Sequence, residues 1–192
     1  MIFAEPWWVN LFLLVPFLIF FSWRQNGLVI SLGTLGSLAI FAGAFGFVEA
    51  AVVVYLRAAI GQLPGYGGTL ADVARLSSQI YQQAQIHSDM PESLLGVEAW
   101  REFATIVMLA SVALLSASRL PERSATFLWS FAIWDLAYYF GLWLTVGWPP
   151  SLLSPDVLFL IPVPWLAQVW LPILVSAMTL AAIALVRKSH RS

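Results

Sequence analysis

The chain has 192 residues, of which 60% are hydrophobic and only 10% charged, with net charge −1 and no cysteine. A soluble domain carries about 25% charged residues, so this is a membrane composition, and the near-neutral charge gives no reason to expect a nucleic-acid partner. Without cysteine there are no disulfides, thiolate metal sites, iron–sulfur clusters or cysteine nucleophile.

The N-terminus, Met1 to Pro6, has no basic segment before its apolar run and no Ala-x-Ala-like site after it. The first apolar segment is therefore expected to stay as a span and not to be cleaved as a signal peptide. Runs near 20 apolar residues mark membrane helices. The first covers 7–23, with Pro16 in its middle and Trp7, Trp8 and Trp23 at the two interfaces, where indoles prefer to lie.

The second run, 28–60, is overlong and must tilt or project. Gly33, Gly36, Gly43 and Gly46, with Ala39, Ala42 and Ala44, allow close helix approach, so this helix is expected to be the central packing element. That points Glu49 inward. Arg57, eight residues on, lies on nearly the same face, about 10–12 Å away by helical rise. The two cannot bond each other, so each needs a partner on another helix. Snorkelling to head groups is the plainer reading of Arg57.

Residues 61–97 form the longest loop. It opens with Gly61, Pro64, Gly65, Gly67 and Gly68. Leu70, Val73, Ser77, Ile80, Tyr81 and Ala84 then recur at helical spacing opposite Asp72, Arg75, Gln79, Gln82 and Gln83, which predicts an amphipathic helix on the outer surface.

The third span, 98–117, opens with Glu98, Arg101, Glu102 and Thr105 on one face. Acids near a helix N-terminus are electrostatically favoured, so a solvated helix mouth accounts for Glu98 as well as a site does. Glu102, followed by an apolar stretch, is harder to explain that way. A carboxylate pair at i, i+4 could hold a hard cation such as Ca²⁺, Mg²⁺ or Mn²⁺.

The fourth span, 127–146, carries Asp135 about 12 Å above its lower end, near the midplane. Tyr138 and Tyr139 follow at i+3 and i+4, within reach of its carboxylate, and Trp134 adjoins it. A midplane acid carries protons, binds a cation or acts as a general acid. The alternative is a structural acid locked to an arginine, for which Arg101 and then Arg57 are the candidates.

Residues 147–165 hold Trp148-Pro149-Pro150, Ser154-Pro155-Asp156 and Pro162-Val163-Pro164-Trp165. Ser154 as N-cap with Pro155 at the first position predicts a short helix that Pro162 and Pro164 break. The other reading is a surface connector anchored by Trp148 and Trp165. The last span is 166–186.

Together these give an all-α integral membrane protein, one polytopic domain over 1–192. It is a helical bundle of five transmembrane helices with an outer amphipathic helix and a short Pro-broken helix before the last span. With the N-terminus outside and the C-terminus inside, the cytoplasmic side holds Arg24, Arg119, Arg123, Arg187, Lys188 and Arg191, six of the nine Lys and Arg. That orientation obeys the positive-inside rule and predicts a bacterial plasma (inner) membrane location.

Histidine occurs only at 87 and 190, outside the spans, so an intramembrane haem or multi-histidine di-iron site is not expected. The only lysine, Lys188, is at a span end, which argues against a retinal Schiff base. No cofactor is evident, and no Walker, Rossmann or Gly-x-Ser-x-Gly pattern is present. The candidate ligand-binding residues are Asp135, Tyr138, Tyr139, Trp134, Glu49, Glu98, Arg101 and Arg57. Asp135, Glu49 and Glu102 are the candidate proton-transfer groups. The functional expectation is an outward-facing acidic pocket that handles a small cationic or lipophilic ligand, by transport or by proton transfer within the bilayer. The alternative is a subunit of a larger membrane complex, with membrane-protein partners and with these charges as interhelical clamps.

Overall fold

The computed structural model describes residues 3–59 and 92–188, with backbone alone at 56–59 and 92–95. The expected amphipathic helix of the outer loop and the side chain of Arg57 lie outside the described residues.

A 3-10 helix, Trp7–Leu14, leads directly into α1, Val15–Trp23. The change of helix type falls at Pro16, which has no N–H to donate and so fits best in the first turn of an α-helix. After a two-residue strand β1, Leu28–Val29, comes α2, Leu32–Ala59. Ser31 caps it, its Oγ accepting from the Thr34 backbone N–H at 2.9 Å.

The next two helices are α3, Glu92–Ser116, and α4, Leu120–Val146. Both begin six or more residues before the apolar runs at 98 and 127. An apolar run measures what lipid can cover; polar first turns extend beyond it. In α4 the first turn holds Pro121 and a Glu122 carboxylate paired with Arg119 at 2.6 Å. The helix ends at Gly147, whose φ of 69° is the left-handed conformation that glycine adopts freely, and its N–H donates to the Trp143 carbonyl.

The segment expected to be a short broken helix is a β-hairpin. Strands β2, Pro155–Phe159, and β3, Trp165–Gln168, pair antiparallel, Asp156 opposite Ala167 and Phe159 opposite Trp165. Ser154 caps no helix; its carbonyl accepts from the Val169 N–H at 3.0 Å. The reason is length. A helix started at Pro155 would meet Pro162 within two turns, too short to hold itself together. Val157, Phe159 and Trp165 suit an extended backbone. Glu5 flanks the hairpin, exchanging two backbone hydrogen bonds with Leu166. The last helix, α5, is accordingly shorter than expected, Trp170–Val186, and ends in strand β4, Arg187–Lys188.

The pairing of β4 parallel to β1 brings the end of α5 beside the start of α2. Lys188 Nζ bonds the carbonyls of Gln25 and Asn26. Val29 and Ser31 share a crevice with Arg119 and Glu122 at the start of α4. One end of the bundle thus collects Arg24, Arg119, Arg123, Arg187 and Lys188, and the hairpin forms the other end.

Helix α4, not α2, is the hub, packing on α2, α3 and α5. Of the α2 glycines singled out by the sequence, only Gly46 meets a neighbouring helix. A Cβ there would strike the Trp134 carbonyl oxygen and come within 2.9 Å of the Ala137 Cβ. Among the described residues, Gly43 and Gly36 have nothing within 4 Å, and Gly33 meets only the Ser31 hydroxyl of its own chain segment, so there the glycine-rich stretch is not one continuous packing face.

Among the described residues, three helical stretches, Leu32–Tyr55, Gly96–Ser116 and Leu120–Val146, are long and apolar enough to cross a membrane. Trp7–Trp23 and Trp170–Val186 are shorter apolar helices. Much of the outside is also apolar: Ile40, Leu115, Phe140 and Leu185 are among many large exposed side chains. A water-exposed fold would not present so wide an apolar surface.

Candidate functional site

Between α2, α3, α4, α5 and the hairpin lies a cavity of about 130 Å³. Seven of the residues singled out by the sequence line it: Glu49, Arg101, Glu102, Trp134, Asp135, Tyr138 and Tyr139. Of the other two, Glu98 stands behind Arg101 as its partner, and the side chain of Arg57 lies outside the described residues.

Each charged group reaches the cavity for a local reason. The register of α3 puts Glu98, Arg101, Glu102 and Thr105 on the side turned to α2 and the hairpin. There the Arg101 guanidinium joins Glu49 of α2 and also bonds Glu98, one turn earlier, at 2.7 Å. The Thr105 hydroxyl donates to Glu49 at 3.3 Å. Glu49 thus has its partner on another helix, as the apolar α2 required. The close approach at Gly46, one turn below, sets Glu49 against α4.

Glu102 accepts a hydrogen bond of 2.8 Å from the backbone N–H of Leu160, at the tip of the hairpin. This carboxylate serves a backbone donor that the interrupted strand pairing at Phe159 leaves over. Asp135 is buried and accepts from the Ser176 hydroxyl of α5 at 2.7 Å. Its expected link to Tyr139 is not made, nor is the alternative pairing with Arg101. The Tyr139 hydroxyl donates to Asp156 on β2, at 2.8 Å, and Arg101 is taken by Glu49 and Glu98. Sequence spacing places Tyr139 one turn from Asp135. In the fold, the longer tyrosine side chain meets the acid on β2.

Asp156 and Ser176 are the residues that sequence reasoning missed. Asp156 is 8% exposed and its other oxygen accepts from the Val157 N–H. It was read as part of a helix start, and only the hairpin turns it inward. Ser176 and Thr179, both buried at i and i+3 in an otherwise apolar helix, were the available signal on α5.

Among the described residues the cavity therefore has four carboxylates on its wall, from Glu49, Glu102, Asp135 and Asp156, and one guanidinium, Arg101. The acids are spread around the wall. Among the described residues no three His, Asp or Glu side chains gather closely enough to share one metal ion. The remaining wall is aromatic, including Phe131, Phe159 and Trp165. No known family model, curated protein or solved structure matches this chain.

Proposed function

We propose that the chain is a five-span protein of the bacterial inner membrane, N-terminus outside and C-terminus cytoplasmic. Its acidic cavity, in the outer half, takes up the cationic group of a small or lipophilic ligand. Transport of that ligand, or proton transfer to and from it within the bilayer, is the activity this arrangement suits.

Helix geometry supports the five spans. Eight residues of 3-10 helix rise about 2.0 Å each and nine of α-helix about 1.5 Å. On that count Trp7–Trp23 is about 30 Å long, the thickness of a bilayer's hydrocarbon core. Helix α5 spans about 26 Å by the same rise, and the hydrogen-bonded β3 continues it. Irregular backbone at such depth needs internal partners, and β3 finds them in β2 and Glu5. The basic end supports the orientation by the positive-inside rule.

The observation that carries the ligand reading is the imbalance, among the described residues, of four carboxylates to one guanidinium around one cavity. Carboxylates withdrawn from water demand protons or cations, and the hydrogen bonds to Glu102 and Asp135 come from neutral donors, the Leu160 N–H and the Ser176 hydroxyl. The test is thermal unfolding of the purified protein in nanodiscs with butylamine, against butanol as the uncharged control. A saturable rise in Tm with butylamine alone is expected, following the linkage between binding and stability. It should be lost in Asp135→Asn. No rise at any amine concentration would sink the reading.

One observation favours a second reading, that of an assembly subunit. Glu49, Glu102, Asp135 and Asp156 each have a partner on another element, as interhelical clamps would. That reading predicts stoichiometric companion subunits in native mass spectrometry of the gently purified protein.

A further inference from the structure

We infer that the acidic cavity and an apolar groove beside it form one site for a single-chain amphiphile with a protonated amine head. This rests on the cationic-ligand reading above and adds the chemistry of the rest of the ligand.

The groove has a volume of about 310 Å³. It shares Phe12, Phe131, Phe159, Trp165, Val175 and Ser176 with the acidic cavity, so the two spaces are neighbours across one set of side chains. Beyond them its walls are Val15 on α1, Ile106 on α3 and Phe127 and Leu128 on α4. Among the described residues no charged side chain lines it. Taken together the two spaces reach the range of small-molecule sites, about 300–1,000 Å³.

The charge distribution selects the head group. A fatty acid would bring a further carboxylate to a wall that, among the described residues, already holds four beside one guanidinium. A phospholipid head would bring a phosphate to the same wall. An amine gives N–H donors and a positive charge to Glu102 and Asp135, whose hydrogen bonds come from a backbone N–H and a serine hydroxyl.

Two indoles say more. Trp134 is 6% exposed, and neither its Nε1 nor that of Trp165 has a hydrogen-bond partner among the described residues. Both line the acidic cavity, and Trp165 lines the groove as well. An indole N–H is a donor only. An amphiphile with an acceptor oxygen between amine and chain would satisfy a donor at that junction, while the chain fills the groove.

The experiment uses the unaltered protein in phosphatidylcholine vesicles. The probe is dodecylamine carrying a terminal diazirine, compared with the dodecanoic acid and dodecanol probes of equal length. After photolysis, peptide mapping should find the amine probe on Ile106 and on Phe127–Leu128. Excess plain dodecylamine should remove the label, and excess dodecanoate should not. Each buried methylene strengthens binding about fourfold, so butylamine should need at least about a hundredfold higher concentration to compete. Equal labelling by all three probes, or label spread over outward-facing residues such as Ile40 and Leu115, would overturn the inference. If butylamine still stabilises the protein in that case, the cationic cavity stands and only the chain site falls. If butylamine has no effect either, the cavity reading falls with it.

Discussion

The contact of α2 with α4 can be tested by two substitutions of the same chemistry and opposite expected sign. Replacing glycine by alanine inside an exposed helix gains about 0.8–1 kcal/mol, because the unfolded chain loses freedom and the helix gains a good former. Gly43 has nothing within 4 Å, so Gly43→Ala should show that gain. At Gly46 the same methyl group would meet the Trp134 carbonyl, the Ala137 Cβ at 2.9 Å and the Tyr138 backbone nitrogen at 3.1 Å. Favourable contacts between carbon atoms lie near 3.5–4.0 Å. Two of the three obstacles are backbone atoms of α4, so no rotamer change relieves them and the helices must separate. Overpacking of this kind typically costs about 1–3 kcal/mol. Set against the propensity gain, Gly46→Ala should lose up to about 2 kcal/mol, a gap of about 1–3 kcal/mol from Gly43→Ala. The measurement is reversible unfolding in mixed detergent–SDS micelles, followed by tryptophan fluorescence. If both variants gain stability equally, α2 and α4 do not approach at Gly46, and the placement of Glu49 beside α4 loses its basis.

Other expectations follow from the polar contacts and the ends of the bundle. Arg101→Gln should destabilise the protein by about 3–5 kcal/mol, because buried Glu49 loses its guanidinium partner. Adding Glu49→Gln should recover part of that loss in the same unfolding assay, and full additivity of the two changes would refute the pair. Asp135→Asn should cost no more than about 1 kcal/mol, since the amide oxygen can still accept from Ser176. A loss of 3 kcal/mol or more would reveal a buried cation opposite Asp135 and sink the ligand reading of that residue. An accessibility tag at Ser192 should report cytoplasm and one at Gln83 the outer side; inversion of either overturns the orientation.

What the sequence made legible is what lipid imposes. Charges in apolar runs must turn inward, and that single constraint singled out Glu49, Arg101, Glu102 and Asp135, which all line one cavity. It did not say which charge meets which. Pairing depends on helix rotation, and rotation is set by contacts such as Gly46 on Trp134, which a one-dimensional pattern does not encode. Glycine spacing was a poor guide for the same reason: Gly43 and Gly46 are equally small, and only one lies on the α4 side. The hairpin was missed because Ser154-Pro155 is a strong local signal for a helix start. The competing signal lay in pairing across the turn, since β2 is completed by β3, and β3 in turn by Glu5 from the start of the chain.

The hairpin also explains why a carboxylate so costly to bury is kept on α3. An extended segment between two apolar helices exposes backbone donors that lipid cannot satisfy. Antiparallel pairing answers most of them, but it ends at Phe159 and leaves the Leu160 N–H beyond the last pair. Glu102 takes that donor at 2.8 Å. Asp156 holds its own strand in turn, one oxygen on the Val157 N–H and the other on the Tyr139 hydroxyl. Two of the four cavity acids therefore fasten the hairpin to α3 and α4. A cation entering the cavity would draw on the same oxygens. Binding and hairpin attachment are then coupled through Glu102 and Asp156, and ligand occupancy should change the protection of the Leu160 amide in hydrogen exchange. If occupancy leaves that amide unchanged while butylamine still raises Tm, the ligand is held by Asp135 and Glu49 alone, and the hairpin is a fixed wall of the site.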